Sequence, residues 1–147
     1  SAMKPGAVFV NSSRGKIVCD EALCEALDDG RVSRAVIDTW NGEPQSDRRL
    51  RALSTLATPH IAGYSIQGKA AGTAAVVRAV GRRYRLPLDD WYPAAVSPTR
   101  PVPIGWDEMG RTMPRYFDIV AESERLKSRP QDFESIRNRY DYRTEFF

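Results

Sequence analysis

Three polar residues of the kinds that carry acid–base chemistry are spread over the first part of the chain: Arg14, Glu43 and His60. A guanidinium stays charged and binds a carboxylate through two parallel hydrogen bonds. An imidazole exchanges a proton near neutral pH, and a carboxylate beside it orients it and favours its protonated form. These three types suit oxidation of a 2-hydroxy acid, with Arg14 on its carboxylate, His60 taking the hydroxyl proton and Glu43 stabilising the imidazolium. The hydride that leaves C2 then requires a nicotinamide acceptor.

Each of these residues also has an ordinary structural interpretation when it is taken alone. Arg14 can be a surface ion-pair residue, Glu43 a loop carboxylate without a role, and His60 a histidine satisfied within the fold. The common interpretation depends on their positions, because each follows a predicted strand. Ligands bind at the carboxyl ends of the strands in open parallel sheets. The pattern therefore predicts one crevice that receives all three side chains.

The elements that must position these residues alternate between strand and helix. Residues 7–10 form a continuous apolar run between turn residues, which is typical of a strand buried on both faces of a parallel sheet. Residues 35–38 and 55–57 predict two further strands. Between the first two strands, Asp20 is expected to cap a helix that ends near Gly30. Strand, helix and strand at this spacing predict a βαβ unit.

The rest of the chain changes character after residue 85. A long helix is predicted from Ile66 to about Tyr84, and a proline-rich stretch over 86–105 predicts a linker or an irregular connection. Helices are expected over 109–121 and 133–140. The arginine- and aromatic-rich end suits either a protein contact or packing within its own domain. We therefore divide the chain into domains 1–85 and 86–147.

Composition excludes several other classes of function. The net charge is +3 with a pI near 9.0, but the arginines alternate with acidic residues, so nucleic-acid binding is a minor alternative. No apolar run reaches membrane-spanning length, and the start has no apolar signal-peptide region. A single histidine and no ligand spacing predict no metal site. Cys19 and Cys24 lie on different helix faces, so we expect two reduced thiols in a cytoplasmic protein.

Three motifs carry a family resemblance: 3–15, 37–44 and 58–63, which contain Asn11-Ser12-Ser13-Arg14-Gly15, Ile37-Asp38 with Glu43-Pro44, and Thr58-Pro59-His60-Ile61-Ala62-Gly63. In this order and spacing they resemble the signatures of the D-isomer-specific 2-hydroxyacid dehydrogenases. The resemblance implies catalytic roles for Arg14, Glu43 and His60. It also implies that NAD is the cofactor, lined by Ser12, Ser13, Arg14, Asp38 and Gly63.

Further stretches, 63–73, 86–93, 116–119 and 133–137, resemble one branch of that family, whose substrate is a small phosphorylated 2-hydroxy acid. This resemblance implies NAD-dependent oxidation of 4-phosphoerythronate at C2, a step of pyridoxal 5'-phosphate synthesis. It implies substrate contacts from Arg14 and Tyr64, and a homodimer formed through residues 86–147.

The chain departs from the family pattern in one respect. It contains no Gly-x-Gly-x-x-Gly turn for the pyrophosphate, no acidic residue for the adenosine ribose, and no N-terminal substrate domain. The predicted fold is α/β: the second half of a Rossmann-type parallel-sheet NAD-binding domain, followed by a small α+β dimerisation domain. We expect a part of a longer protein that is inactive alone. The alternatives are another D-2-hydroxyacid dehydrogenase, for example of the phosphoglycerate type, and a non-catalytic dimerisation module.

Overall fold

The computed structural model describes residues 3–99 and 103–145, which form two compact units. The first comprises Ser1–Ala62 and Asp118–Tyr140, and the second comprises Gly63–Phe117 and Asp141–Phe147. This division does not coincide with the predicted boundary at residue 85, because the long helix belongs to the second unit and residues 118–140 return to the first. The assignment of a dimerisation domain to residues 86–147 remains a prediction.

The first unit is built on a three-stranded parallel sheet in the order β1-β2-β3. The strands are β1 (Ala7–Asn11), β2 (Val32–Ile37) and β3 (Leu56–Ala57). Their carboxyl ends lie in register, with Asn11 beside Ile37 and Ile37 beside Ala57. The predicted α/β fold with parallel strands is confirmed, and the loops after the three strands start from one edge of the sheet.

The α-helices of the described residues are α1 (Asp20–Asp28), α2 (Arg48–Leu53), α3 (Ile66–Tyr84), α4 (Trp106–Tyr116), α5 (Ile119–Ser128) and α6 (Phe133–Asn138). Helices α1, α2, α5 and α6 belong to the first unit, and α3 and α4 belong to the second. The prediction of a helix from Ile66 to Tyr84 is confirmed to the residue.

The core of the first unit joins one face of the sheet to its four helices. Ala35, Ile37 and Ala57 of the sheet belong to one buried cluster. The same cluster contains Leu23, Cys24, Ala26, Leu50, Leu126, Phe133 and Ile136 from the helices. In addition, the amide of Ala57 donates a buried hydrogen bond of 2.9 Å to the hydroxyl of Ser123 on α5. Helix α5 therefore helps to hold the strand that leads to His60.

The expectation that residues 7–10 are buried on both faces is wrong. Val8 and Val10 are 60% and 62% exposed, whereas Phe9 is packed against the core. In this chain β1 is the outer strand of the sheet, and the helices of the core cluster pack on the face that carries Phe9. An apolar run cannot distinguish a strand covered on both faces from one covered on a single face.

Two helix boundaries also differ from the predictions. The helix expected over 109–121 is interrupted, because the Asp118 side chain accepts a hydrogen bond from the amide of Ala121 and so starts α5 as a new helix. Asp20 is the first residue of α1 and not its cap, a position that Cys19 occupies without a side-chain hydrogen bond. The Asp20 carboxylate instead accepts a hydrogen bond from the side chain of Asn41.

In the second unit, α3 has a capped start and an abrupt end. The Ser65 hydroxyl accepts a hydrogen bond from the amide of Gly68, and Arg85 closes the helix in the left-handed conformation. The end of the chain returns to the start of this helix, where the amide of Ile66 donates to the carbonyl of Arg143. Residues 64–67 and 143–145 therefore form one packed corner.

Candidate active site

A cleft of about 650 Å³ lies in the first unit among the loops that follow the strands. Arg14 comes after β1, Glu43 after β2 and His60 after β3. The structure thus brings all three predicted catalytic side chains to one cleft. The residues that line it are Arg14, Gly15, Lys16, Ile17, Trp40, Gly42, Glu43 and His60.

Glu43 and His60 are in direct contact. The imidazole Nδ1 lies 2.9 Å from Oε2 and 3.1 Å from Oε1 of the carboxylate. The backbone amide of Trp40 donates a 2.8 Å hydrogen bond to Oε1, which fixes the carboxylate in turn. Both side chains are about three-quarters buried. Because Glu43 occupies Nδ1, Nε2 is the nitrogen that remains for proton exchange, and no residue in the described ranges 3–99 and 103–145 hydrogen-bonds to it.

Asp38 holds the loop that carries His60. Its buried carboxylate accepts hydrogen bonds from the Thr58 hydroxyl at 2.7 Å and from the amides of Ile61 and Ala62 at 2.8 and 3.1 Å. Its carbonyl accepts from the His60 amide at 2.8 Å. These bonds stabilise His60 at φ 58, a left-handed conformation that is uncommon outside glycine and recurs at functional sites. A cofactor contact of Asp38 remains a prediction.

Asn11 shapes the turn that presents Arg14. Its buried side chain donates to the carbonyl of Arg14 at 3.0 Å and accepts from the amide of Ser13 at 3.1 Å. The guanidinium of Arg14 is exposed and donates a 2.7 Å hydrogen bond to the carbonyl of Ser13. Ser12 and Ser13 are exposed on the same turn, so a cofactor could reach them, as the sequence predicts.

Gly15 allows the first two loops to approach each other closely. A Cβ atom at this position would lie 2.0 Å from the backbone carbonyl carbon of Trp40 and 2.5 Å from the amide nitrogen of Asn41. No side chain fits in this space, so the requirement for glycine comes from backbone contact rather than from a positive φ.

Sequence reasoning did not identify two residues of the site. Trp40 is buried, its indole donates to the carbonyl of Thr58 at 2.9 Å, and its amide holds Glu43. Lys16 places a second cation on the cleft beside Arg14. The available signal was their position: Lys16 lies two residues after Arg14, and Trp40 lies two residues after Asp38.

The remaining predicted site residues, Gly63 and Tyr64, belong to the second unit. Within that unit, the rings of Tyr64 and Tyr142 meet edge to face at 5.4 Å, and the ammonium of Lys69 lies 4.1 Å from the centre of the Tyr64 ring. Their predicted contacts with cofactor and substrate remain predictions.

The cleft has the size and the position of a small-molecule site. Its volume falls within the usual range for small-molecule sites, and it lies at the carboxyl ends of parallel strands. Across residues 3–99 and 103–145, no three His, Cys, Asp or Glu side chains are grouped as metal ligands. The described helices also include none long and apolar enough to cross a bilayer.

The residues of the cleft fit the nicotinamide end of a dinucleotide. Gly42 is exposed on the cleft and leaves its backbone open to a planar ring, and Arg14 and Lys16 offer donors to a carboxylate held beside such a ring. Chemically, the arrangement provides an anion-binding guanidinium next to an imidazole that a carboxylate holds through one nitrogen.

The first part of the chain matches a known protein family. Residues 1–62 match the family described as "D-isomer specific 2-hydroxyacid dehydrogenase, NAD binding domain". These residues are therefore similar to the NAD-binding domain of that family, which supports NAD as the cofactor.

Two similar individual proteins share the name of one particular enzyme. The chain is 38% identical over 148 residues to the erythronate-4-phosphate dehydrogenase of Bacteroides fragilis, covering 98% of this chain and 41% of that protein. It is 51% identical over 82 residues to the enzyme of the same name from Pseudomonas entomophila, covering 56% and 21%. A solved 2-hydroxyacid dehydrogenase from Ketogulonicigenium vulgare is 35% identical, with a TM-score of 0.46, covering 57% and 27%. The chain thus spans about two fifths of the length of its Bacteroides relative.

Proposed function

We propose that this chain is the C-terminal part of an NAD-dependent erythronate-4-phosphate dehydrogenase. The reaction is oxidation of 4-phosphoerythronate at C2 to 2-oxo-3-hydroxy-4-phosphobutanoate, a step of pyridoxal 5'-phosphate synthesis in the cytoplasm. The observation that carries the proposal is the contact between His60 and Glu43 in the cleft that Arg14 also lines. Similarity to two enzymes of that name supports the choice of substrate.

Arg14 binds the substrate carboxylate in this proposal. Its exposed guanidinium has one hydrogen bond to its own turn, so most of its five donors remain for a ligand. A two-point contact between the planar guanidinium and the carboxylate fixes the orientation of C2 as well as its distance. Lys16 adds positive charge on the same cleft.

His60 removes the proton from the C2 hydroxyl through Nε2. NAD, when bound, supplies the acceptor for the hydride that leaves C2. The O–H pair of electrons becomes the second bond of the new C2 carbonyl, and the proton stays on the imidazole until solvent takes it. Glu43 keeps Nδ1 protonated and stabilises the positive ring, and such acid–base catalysis is typically worth about 10²–10⁴-fold in rate.

The whole reaction requires chain that these 147 residues do not supply. The relatives are more than twice as long, and no pyrophosphate-binding glycine turn occurs in this sequence. We therefore expect the chain alone to bind NAD weakly and to be inactive. Steady turnover of 4-phosphoerythronate by the isolated chain would contradict this part of the proposal.

Arg14→Lys in the full-length polypeptide tests the carboxylate contact. Lysine keeps the charge but loses the planar fork, so kcat/KM for 4-phosphoerythronate should fall about 10-fold or more. The control is Arg34→Lys, which changes an exposed arginine of β2 outside the cleft. An unchanged kcat/KM in Arg14→Lys would overturn the role of Arg14. Separately, if the wild type oxidised 3-phosphoglycerate faster than 4-phosphoerythronate, the phosphoglycerate-type alternative would be favoured.

The partner in this proposal is a second copy of the chain, bound through residues 86–147. Helix α4 supports it, because none of its residues is buried and Trp106 and Met113 are 85% and 48% exposed. Exposed apolar residues on one helix favour a protein contact. Sedimentation of the wild-type protein should show a dimer. Trp106→Glu should weaken this dimer, whereas Glu108→Gln should leave it unchanged. A wild-type protein that stays strictly monomeric would contradict the dimer.

A further inference from the structure

A groove separate from the cleft of His60 lies in the first unit, between α2 with its preceding loop and the segment that follows α5. It consists of two cavities of about 360 and 260 Å³. Both cavities are lined by Arg51 and Pro130, so they are adjacent, and we call them together the Arg51 groove. The first cavity is lined in addition by Pro44, Gln45, Ser46 and Gln131, and the second by Arg48, Ala52 and Lys127. All of these residues belong to the first unit.

Arg51 is a buried cation without a counter-ion. The residue is 9% exposed, and in the described part of the chain no carboxylate lies within 4 Å of its guanidinium. Burial lowers the pKa of Arg51, and the nearby Asp47 carboxylate opposes this shift in part. An unpaired charge is costly to remove from water. Such a charge at the wall of a cavity indicates a site for a ligand of opposite charge.

Most of the Arg51 donors are available to such a ligand. Nη1 donates hydrogen bonds to the carbonyl and the hydroxyl of Ser46, at 3.0 and 2.6 Å. Nε and Nη2 have no hydrogen-bond acceptor among residues 3–99 and 103–145. These two nitrogens form one edge of the planar group, which is the geometry that binds two oxygens of an anion at once. Because Ser46 fixes the opposite side, the guanidinium is oriented before any ligand binds.

The other lining residues add positive charge and no negative charge. Arg48 is exposed at the second cavity, and the ammonium of Lys127 donates a 2.6 Å hydrogen bond to the carbonyl of Ser54, which holds it beside the groove. No Asp or Glu is among the described residues that line either cavity. Three cations suit a phosphate group better than a carboxylate, since a phosphate monoester has a charge of about −1.5 to −2 and three acceptor oxygens.

We propose that the Arg51 groove binds a phosphate group, with Arg51 on two of its oxygens and Arg48 and Lys127 neutralising its charge. The site is additional to the cleft of His60 and does not depend on the proposed function. Two sources share this chemistry: free inorganic phosphate, and a small phosphate monoester whose organic part would lie against Pro44 and Pro130. The size of the first cavity is within the usual range for small-molecule sites.

The first experiment measures binding and its location by NMR on the ¹⁵N-labelled 147-residue chain. Inorganic phosphate, glycerol 3-phosphate and glycerol are titrated separately at constant ionic strength. At least one phosphate should shift the Nε–H resonance of Arg51 and the amide of Ser46 saturably, with a Kd of about 1 mM or below, and glycerol should not. A tighter Kd for glycerol 3-phosphate identifies the monoester as the occupant, and equal values identify free phosphate. No saturable shift with either phosphate would overturn the site.

The second experiment repeats the titrations with variants of α2. Arg51→Met should raise the Kd at least about 10-fold, because it removes both the charge and the two-point contact. Arg48→Gln and Arg49→Gln are a matched pair, since both remove an exposed arginine but only Arg48 lines the groove, whereas Arg49 pairs with Asp28. Arg48→Gln should raise the Kd about 3-fold or more, and Arg49→Gln less than about 2-fold.

Two results of these titrations would contradict the site. Equal Kd values for Arg51→Met and the wild type would show that the buried guanidinium has no part in binding. If Arg51→Met does not fold, the matched pair still decides, because equal Kd values for Arg48→Gln and Arg49→Gln would mean that phosphate responds only to the overall charge of the chain.

Discussion

At the scale of single residues, the site depends on two carboxylates that accept several hydrogen bonds each. Glu43 joins the Trp40 amide to the His60 ring, and Asp38 accepts hydrogen bonds from the amides of His60, Ile61 and Ala62. The residue types and their positions after strands were enough to predict that Arg14, Glu43 and His60 would share a cleft. The supporting contacts could not be predicted, because backbone amide donors are common to nearly all residue types and the positive φ of His60 cannot be inferred from the sequence.

Gly15→Ala should destabilise the chain at the contact between the first two loops. The added methyl group would meet the Trp40 backbone at 2.0 Å, so one loop must move. We expect the free energy of unfolding, measured with urea, to fall by about 2 kcal/mol or more. The control is Gly72→Ala within α3, where a Cβ meets nothing within 4 Å and stability should rise slightly. Equal stability of Gly15→Ala and wild type would contradict the close approach.

The two thiols should differ in reactivity. Cys19 is exposed, whereas Cys24 is buried in the core, and burial raises the pKa of the Cys24 thiol, with the nearby Asp47 carboxylate acting in the same direction. A raised pKa leaves less thiolate at neutral pH, so Cys24 should be protonated and protected. A thiol reagent followed by mass spectrometry should label Cys19 rapidly and Cys24 only after unfolding. Rapid labelling of both cysteines in the folded chain would be inconsistent with this core.

At the scale of elements, the strands and the long helix were predictable, and the partners of their faces were not. Period and turn residues predicted all three strands and α3, because they are local signals. The exposed face of β1 and the return of α5 to the sheet depend on contacts between distant segments. The cap at Asp118 shows how one side chain can divide a continuous helical pattern into two helices.

Ser123→Ala tests the attachment of α5 to the strand that leads to His60. The Ser123 hydroxyl is the buried partner of the Ala57 amide, so its removal leaves that amide unsatisfied. The expected loss of unfolding free energy is about 1–3 kcal/mol by urea denaturation. Ser128→Ala, at an exposed hydroxyl on the same helix, should change stability by less than about 0.5 kcal/mol. Identical effects of the two variants would argue against the buried bond.

At the scale of the whole molecule, the chain contains two units whose sequences are interleaved. The boundary predicted at residue 85 was placed at a change in composition. Composition indicates where a linker lies, but it does not show which segments pack together. Leu126 and Phe133 lie after that boundary and are almost completely buried in the core cluster of the first unit. A discontinuous unit of this kind has no signature in a single sequence.

Residues 1–85 alone should therefore fail to fold stably. Without α5 and α6, the core of the first unit loses Leu126, Phe133 and Ile136, and β3 loses its hydrogen bond to Ser123. Removal of each large core side chain costs about 2–5 kcal/mol, so the combined loss is comparable with the whole unfolding free energy of a small domain, about 5–15 kcal/mol. Circular dichroism during urea titration should show no cooperative transition for 1–85 and a clear one for 1–147. A transition of 1–85 at the midpoint of the full chain would instead support the boundary at residue 85.

The central claim is that the imidazole of His60, held by Glu43, exchanges the substrate proton during hydride transfer. Its most direct test is a single-turnover measurement of NADH formation by the full-length protein with saturating 4-phosphoerythronate, comparing wild type, His60→Asn and the exposed control Glu21→Gln. We predict that His60→Asn lowers the rate about 10²–10⁴-fold while NAD affinity stays the same, and that Glu21→Gln matches the wild type. Hydride transfer by His60→Asn at the wild-type rate would contradict the account.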